Sequence, residues 1–156
     1  MCESLDSFFS LKTPYYAFLR NDIKRAYAMK LMIVEDNEEM RMLIRSLLED
    51  LAETINECAD GGEAVSAYAR FKPDWVLMDI KMKVMDGIVA TRQIKASYPD
   101  ARIVMVTDYD DKQLREAARK AGALAYVLKD DLFAIRRLLG EGVRPEISTD
   151  SEGRQL

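Results

Sequence analysis

Several short apolar stretches of this sequence end in side chains that could take part in group transfer. In chain order, these terminal residues are Glu35 and Asp36, Asp79, Thr107 and Lys129. Carboxylates can hold a divalent cation or act as nucleophiles, whereas a hydroxyl and an ammonium can bind the oxygens of a phosphoryl group. Brought together, these residues would suit the transfer of a phosphoryl group onto a carboxylate.

The elements that must position these residues are strands and helices in alternation. Short apolar runs at residues 31–34, 54–58, 75–78, 102–106 and 124–128 predict five strands. Alternating elements of this kind imply parallel strands joined by right-handed helical crossovers. We therefore predict a flavodoxin-like, doubly wound α/β fold with a five-stranded parallel sheet in the order 2-1-3-4-5.

The intervening segments carry apolar residues at helical spacing. In the first helix the predicted apolar face consists of Met40, Leu43, Ile44, Leu47, Leu48 and Leu51. Acidic residues could begin the later helices, with Asp110 or Asp111 ahead of the fourth and Asp130 or Asp131 ahead of the fifth. Gly122 suits the end of the fourth helix.

In a parallel sheet of this order the five site residues meet at one edge, because strands one and three are neighbours. Each pair of carboxylates about 5 Å apart would repel by roughly 3 kcal/mol at an effective dielectric constant of about 20. A hard cation such as Mg²⁺ would relieve this, bound directly by Asp36 and Asp79 and through water by Glu35. Asp79 would then be the nucleophile, and Thr107 and Lys129 would hold the phosphoryl oxygens.

Taken singly, these residues have simpler explanations. Asp36 could cap the following helix, Lys129 could be a solvated surface lysine, and Thr107 could be an ordinary residue at the end of a strand. The chemical interpretation depends on finding all of them at successive strand ends of one predicted sheet.

The motifs around these residues resemble the response-regulator receiver domains of two-component signalling over about residues 29–140. The resemblance is carried by IVEDN at 33–37, LMDIKM at 77–82 with MDG at 85–87, VT at 106–107, AGA at 121–123 and YVLK at 126–129. Residues 108–111 and the helix after them are most similar to receivers that usually carry a helix-turn-helix output domain.

The resemblance implies roles for individual residues. Asp79 would accept a phosphoryl group from the phosphohistidine of a sensor histidine kinase or histidine phosphotransfer protein. Glu35, Asp36, Asp79 and the Lys81 backbone carbonyl would form the Mg²⁺ site, with Thr107 and Lys129 on the phosphoryl oxygens. Tyr126 would be the switch aromatic, the alternative being a half-buried packing residue. Such a protein is not an enzyme beyond promoting its own phosphorylation and dephosphorylation.

The sequence departs from the family pattern near the predicted nucleophile. Lys83 stands where the family often has proline, and Asp108 follows Thr107 where a small residue is common, so Asp108 could narrow access or repel an incoming phosphate. Lys81 and Tyr109 flank the expected path of an attacking water. We expect their bulk and charge to slow hydrolysis of the phosphorylated form.

The whole composition suits a globular protein with a core, since 49% of the 156 residues are hydrophobic and 32% are charged. The net charge of −4 argues against direct nucleic-acid binding. Two cysteines without metal spacing favour a reducing, cytoplasmic setting, and no apolar stretch approaches the roughly 20 residues of a membrane span. With no histidine in the chain, a separate protein or a small acyl phosphate must donate the phosphoryl group.

We divide the chain into an N-terminal extension (1–28), a receiver domain (29–140) and a flexible C-terminal tail (141–156). Thr13 and Pro14 predict the start of a helix that docks on a partner or membrane, covers its own domain, or lies upstream of a natural start at Met29. No output domain is expected after Gly140, so the protein would act through contacts with an unknown downstream protein or as a truncated regulator. A homodimer is compatible with the sequence.

Three other functions can be compared with this hypothesis. A haloacid-dehalogenase-type phosphohydrolase uses similar groups, but it expects an acidic residue where Lys81 stands. A flavodoxin-like electron carrier needs a first loop that cradles phosphate, and the Glu35–Asp36 pair would repel that anion. A P-loop nucleotidase lacks its glycine-rich motif here.

Overall fold

The computed structural model describes residues 29–141, and the extension, its predicted helix from Thr13 and the C-terminal tail lie outside that range. Strands and helices alternate throughout it. In chain order, they are β1 (Met29–Val34), α1 (Glu38–Leu48), β2 (Ala52–Cys58), α2 (Gly61–Phe71), β3 (Trp75–Met78), α3 (Gly87–Ser97), β4 (Ile103–Thr107), α4 (Lys112–Ala121), β5 (Ala125–Leu128), a 3₁₀ turn (Lys129–Asp131) and α5 (Phe133–Glu141).

The five strands form one parallel sheet in the order β2-β1-β3-β4-β5, which confirms the predicted topology. The register aligns the ends that matter for function. Val34 lies opposite Met78, and Thr107 lies opposite Leu128. The residues that follow these pairs therefore leave the sheet at the same edge, side by side.

The core has two parts, one on each face of the sheet, because side chains of a strand alternate between faces. Met32 and Val34 contribute to one part, and Leu31 and Ile33 to the other. Strands β3 and β4 are buried along their whole length. Asp79, which follows β3, and Thr107, which ends β4, therefore lie at the most enclosed part of the sheet edge.

The helix starts decide two predictions about capping. Asn37 caps α1, its side-chain oxygen accepting a hydrogen bond from the Met40 amide at 2.9 Å, so the alternative role of Asp36 as the cap is wrong. Asp111, rather than Asp110, caps α4 through the Leu114 amide at 2.8 Å. Asp36 is thereby left available for other contacts.

One residue of the predicted apolar face of the first helix is exposed rather than buried or half-buried. Ile44 and Leu48 are 1% and 0% exposed, but Leu43 is 53% exposed. A helix turns by about 100° per residue, so Leu43 lies well to one side of the stripe centred on Ile44.

Within residues 29–141, no helix combines the length and apolar character that crossing a bilayer requires.

Candidate functional site

Three carboxylates converge at the edge where β1 and β3 end. Single oxygen atoms of Glu35, Asp36 and Asp79 all lie within 4.8 Å of one another. The cause is the pairing of β1 with β3, which is continued by a hydrogen bond of 2.9 Å from the Asp79 amide to the Val34 carbonyl. Glu35 and Asp79 are only 1% and 5% exposed, whereas Asp36 is half-buried.

A buried lysine faces this cluster. Lys129 follows β5 directly, and its Nζ lies 2.7 Å from Glu35 Oε2 and 3.2 Å from Asp79 Oδ2. A third carboxylate, Asp108 Oδ2, lies 3.5 Å from the same nitrogen. The sequence predicted that Lys129 would reach Asp79, but its pairing with Asp108 was not foreseen, although the position of Asp108 next to Thr107 was the available signal.

Burial and charge shift the pKa values of both central groups. Burial, reinforced by the charge of Glu35, raises the pKa of Asp79 to about 6, although Lys129 and the Ile80 amide partly offset this. Burial disfavours the charge of Lys129, but its hydrogen bond to Glu35 and the nearby carboxylates outweigh that effect and raise its pKa. Lys129 is therefore a cation at neutral pH, while ionised Asp79 is held at a cost in free energy.

The donor set fits a magnesium ion. Opposite ligands of an octahedral Mg²⁺ lie roughly 4.2 Å apart, twice the Mg–O distance, so the three carboxylate oxygens need only small movements to share one ion. Burial is the main cause of the raised pKa of Asp79 and the charge of Glu35 adds to it, and a bound cation would oppose both effects by stabilising the ionised carboxylate. Glu35 and Asp79 each accept a backbone amide hydrogen bond and pair with Lys129. Lys129 lies closer to Glu35 (2.7 Å) than to Asp79 (3.2 Å), so Asp79 is the freer of the two to bind an ion directly.

The cluster opens into a cavity of about 220 Å³. Its lining includes the three carboxylates and Lys129, together with residues of the surrounding loops: Asn37, Met40, Lys81, Asp108 and Tyr109. Gly87 holds the loop after β3 close, since a side chain there would bring a Cβ to 1.9 Å from the Asp79 carbonyl oxygen. Because Asp79 lines this open cavity, small molecules and partner side chains can approach it from that side.

Thr107 ends β4 and is fully buried. Its hydroxyl oxygen accepts a long hydrogen bond, 3.4 Å, from the Tyr109 amide. It is not among the residues that line the cavity, so its hydroxyl is held by the following loop rather than presented to the opening.

Tyr126 is half-buried on β5, with two contacts that hold its ring. Its hydroxyl donates a hydrogen bond of 2.6 Å to the Tyr109 carbonyl. The Arg115 guanidinium lies 4.4 Å from the centre of the ring and pairs with Asp110 through two hydrogen bonds of 2.8 and 3.0 Å. Sequence reasoning singled out Tyr126 but missed these neighbours.

The arginines of α4 and α5 are all engaged with acidic residues. The pairs are Arg115 with Asp110, Arg119 with Glu116, Arg136 with Asp50 and Arg137 with Asp131. These four arginines therefore contribute paired rather than free positive charge to the surface.

The chain matches a family model, the response regulator receiver domain, over residues 31–139. Among curated proteins, it is 41% identical over 102 residues to chemotaxis protein CheY of Halobacterium salinarum, covering 65% of this chain and 85% of CheY. It is 42% identical over 119 residues to transcriptional regulatory protein PdtaR of Mycobacterium tuberculosis, covering 76% of this chain and 57% of PdtaR. The chain thus spans little more than half the length of the longer regulator.

Solved structures show the same fold. A two-component response regulator of the LuxR family from Aurantimonas sp. aligns with a TM-score of 0.67 and 33% identity, covering 73% of this chain and 86% of that chain. A chain of the CheX–CheY–BeF3–Mg²⁺ complex from Borrelia burgdorferi aligns with a TM-score of 0.65 and 27% identity, covering 74% and 90%.

Proposed function

The chain belongs to the response regulator receiver domains of two-component signalling, and from this premise we propose that it is a switch phosphorylated on Asp79. The donor would be the phosphohistidine of a sensor histidine kinase or a histidine phosphotransfer protein. The observation that carries the proposal is a nearly buried carboxylate, Asp79, that borders an open cavity and lies 3.2 Å from a buried ammonium.

In the proposed reaction, a carboxylate oxygen of Asp79 bonds to phosphorus while the bond between phosphorus and the donor's histidine nitrogen breaks. The nitrogen keeps the electron pair of that bond. Lys129 is placed to bind a phosphoryl oxygen, because its Nζ already contacts Asp79. Thr107 would bind another oxygen, which requires its hydroxyl to exchange the Tyr109 amide for the phosphoryl group.

Receiver domains bind Mg²⁺ at an acidic pocket, and we assign this role to Glu35, Asp36, Asp79 and the Lys81 carbonyl. The bound ion would neutralise charge that develops on the phosphoryl oxygens. The convergence of the three carboxylates supports the assignment, and Lys81 borders the same cavity.

We propose that residues 29–140 form the signalling unit, between the extension 1–28 and the tail 141–156. Movement of Thr107 towards the phosphoryl group would pull on the loop that holds Tyr126, because Tyr109 contacts both residues. A changed surface around α4, β5 and α5 would then bind a downstream protein or a second copy of the chain. Such output depends on protein contacts rather than on direct binding to nucleic acid.

The test is to incubate the protein with Mg²⁺ and acetyl phosphate and to measure its intact mass. We expect one added phosphoryl group, absent from Asp79→Asn. Asp60→Asn is a matched control, because Asp60 only caps α2 and asparagine can replace it as a cap. A modified Asp79→Asn protein, or an unmodified wild type at every Mg²⁺ concentration, would contradict the proposal. Sustained release of phosphate from an added ester would favour the phosphohydrolase instead.

A further inference from the structure

The ammonium of Lys129 pairs with three carboxylates at once. A lysine has three N–H donors, and Lys129 lies within 4 Å of three carboxylates, Glu35, Asp79 and Asp108. A phosphoryl oxygen that binds this ammonium must therefore compete with these three carboxylates.

The three partners differ in how firmly they are held. The side chains of Glu35 and Asp79 are 2% and 6% exposed, and each also accepts a backbone hydrogen bond, from Asn37 at 3.2 Å and Ile80 at 2.7 Å. Asp108 is 68% exposed and has the longest distance to Lys129, 3.5 Å. Moving Asp108 fully into water costs little, because its carboxylate is already largely hydrated.

We propose that Asp108 is a placeholder anion, a positioning residue that occupies Lys129 until a phosphoryl group displaces it. Asp108 borders the cavity next to Asp79, so its carboxylate lies on the side from which a phosphoryl group must arrive. The inference rests on the proposed phosphorylation of Asp79. It adds that this chain carries its own competitor for the phosphoryl-binding lysine.

Displacement of Asp108 would also act on the loop that holds the switch aromatic. Asp108 lies between Thr107 and Tyr109, and Tyr109 binds the Thr107 hydroxyl through its amide and the Tyr126 hydroxyl through its carbonyl. When Asp108 leaves Lys129, one of the contacts that anchor this loop at the cavity is lost. Loss of this single contact would thus link occupancy of the site to the contacts of Tyr126.

The test is titration of the full chain with beryllium fluoride, a mimic of the phosphoryl group, in excess Mg²⁺. Binding is monitored through the amide NMR signals of the protein. We expect Asp108→Asn to bind about 2- to 5-fold more tightly, corresponding to an exposed pair of up to about 1 kcal/mol. The amide signals of Tyr109 and Tyr126 should already be shifted in the unliganded variant. Asp108→Glu should restore wild-type affinity, which a purely steric role would not predict.

The control is Asp111→Asn, which removes the same charge three residues away while keeping a residue that can cap α4. Equal affinities of Asp108→Asn and wild type would overturn the proposal, as would an equal gain in Asp111→Asn. Asp108→Ser provides a second variant if Asp108→Asn unfolds. Failure of the wild-type protein itself to bind would instead refute the proposed phosphorylation, and with it this inference.

Discussion

The surroundings of Asp79 divide into a buried floor and an exposed rim, which are built from different kinds of interaction. The floor is Glu35, Asp79 and Lys129, whose side chains are at most 6% exposed. The rim is the loop of residues 108–110 with Arg115, where ion pairs and a ring contact lie at the surface. Acidic and basic side chains therefore pair in a buried environment in the floor and in a solvated environment in the rim, although the two are only one loop apart.

This difference separates the floor, which performs the proposed chemistry, from the rim, which changes its rate and the affinity of the site. Charges in the floor are largely shielded from water, so breaking one pair leaves a poorly compensated charge. Charges in the rim regain water when their partners leave, so their pairs contribute little. We expect substitutions in the floor to change stability and function together, and substitutions in the rim to change rates and affinities.

The largest expected effect comes from removing the floor cation. Lys129→Met leaves Glu35 and Asp79 without their ammonium, and we expect the free energy of unfolding to fall by about 3–5 kcal/mol at pH 7.5. Urea denaturation measures this directly. Lys120→Met is the matched control, because Lys120 is 70% exposed and pairs with Glu116 at the surface. Similar losses in the two variants would show that burial of Lys129 does not set the cost of removing it.

The second largest expected effect is a gain in the free energy of unfolding rather than a loss. The pKa of Asp79 is about 6 in the folded protein and about 3.9 in an unfolded chain. Ionisation of Asp79 therefore lowers the free energy of unfolding. The full effect is present well above pH 6 and disappears as the pH falls below about 4. We expect Asp79→Asn to stabilise the Mg²⁺-free protein by about 2 kcal/mol at pH 7.5 and hardly at all at pH 4. A pH-independent gain in urea denaturation would contradict this.

A smaller effect concerns the lifetime of the phosphorylated protein. Lys81 and Tyr109 both line the cavity and are exposed, so their side chains can obstruct an attacking water. Replacing both with alanine should speed dephosphorylation up to about tenfold, a barrier change of about 1.4 kcal/mol. The decay of phosphoprotein after removal of acetyl phosphate measures this. An unchanged half-life would exclude a shielding role for these residues.

The smallest effect on stability is expected at the rim arginine. Arg115→Gln removes the guanidinium from the Tyr126 ring and from Asp110, and should cost less than about 1 kcal/mol. The Tyr126 ring signals in NMR should nevertheless shift and broaden. Arg119→Gln, which removes only an exposed pair with Glu116, should leave them unchanged. A loss of several kcal/mol would place Arg115 with the floor.

Much of the fold could be predicted because it depends on local patterns. Apolar runs of strand length alternate with segments of helical spacing, and together they define the sheet and its order, which the structure confirms. The exposure of Leu43 was wrongly predicted, because spacing along a helix indicates a face but not how far the neighbouring layer extends over it. The sequence suggested only Asp36 as a possible cap of α1. Asn37 is an equally suitable residue type, and only the backbone geometry shows that it is the cap.

The sequence by itself determined the types and order of the groups at the sheet edge, because parallel strands bring their carboxyl ends together whatever the details of packing. Tertiary structure decided how those groups share charge. Only packing shows that Lys129 is buried with three carboxylate partners, and that Tyr109 links Thr107 to Tyr126. These contacts depend on distances of a few ångströms between separate loops, and the spacing of residues along the chain does not contain such distances.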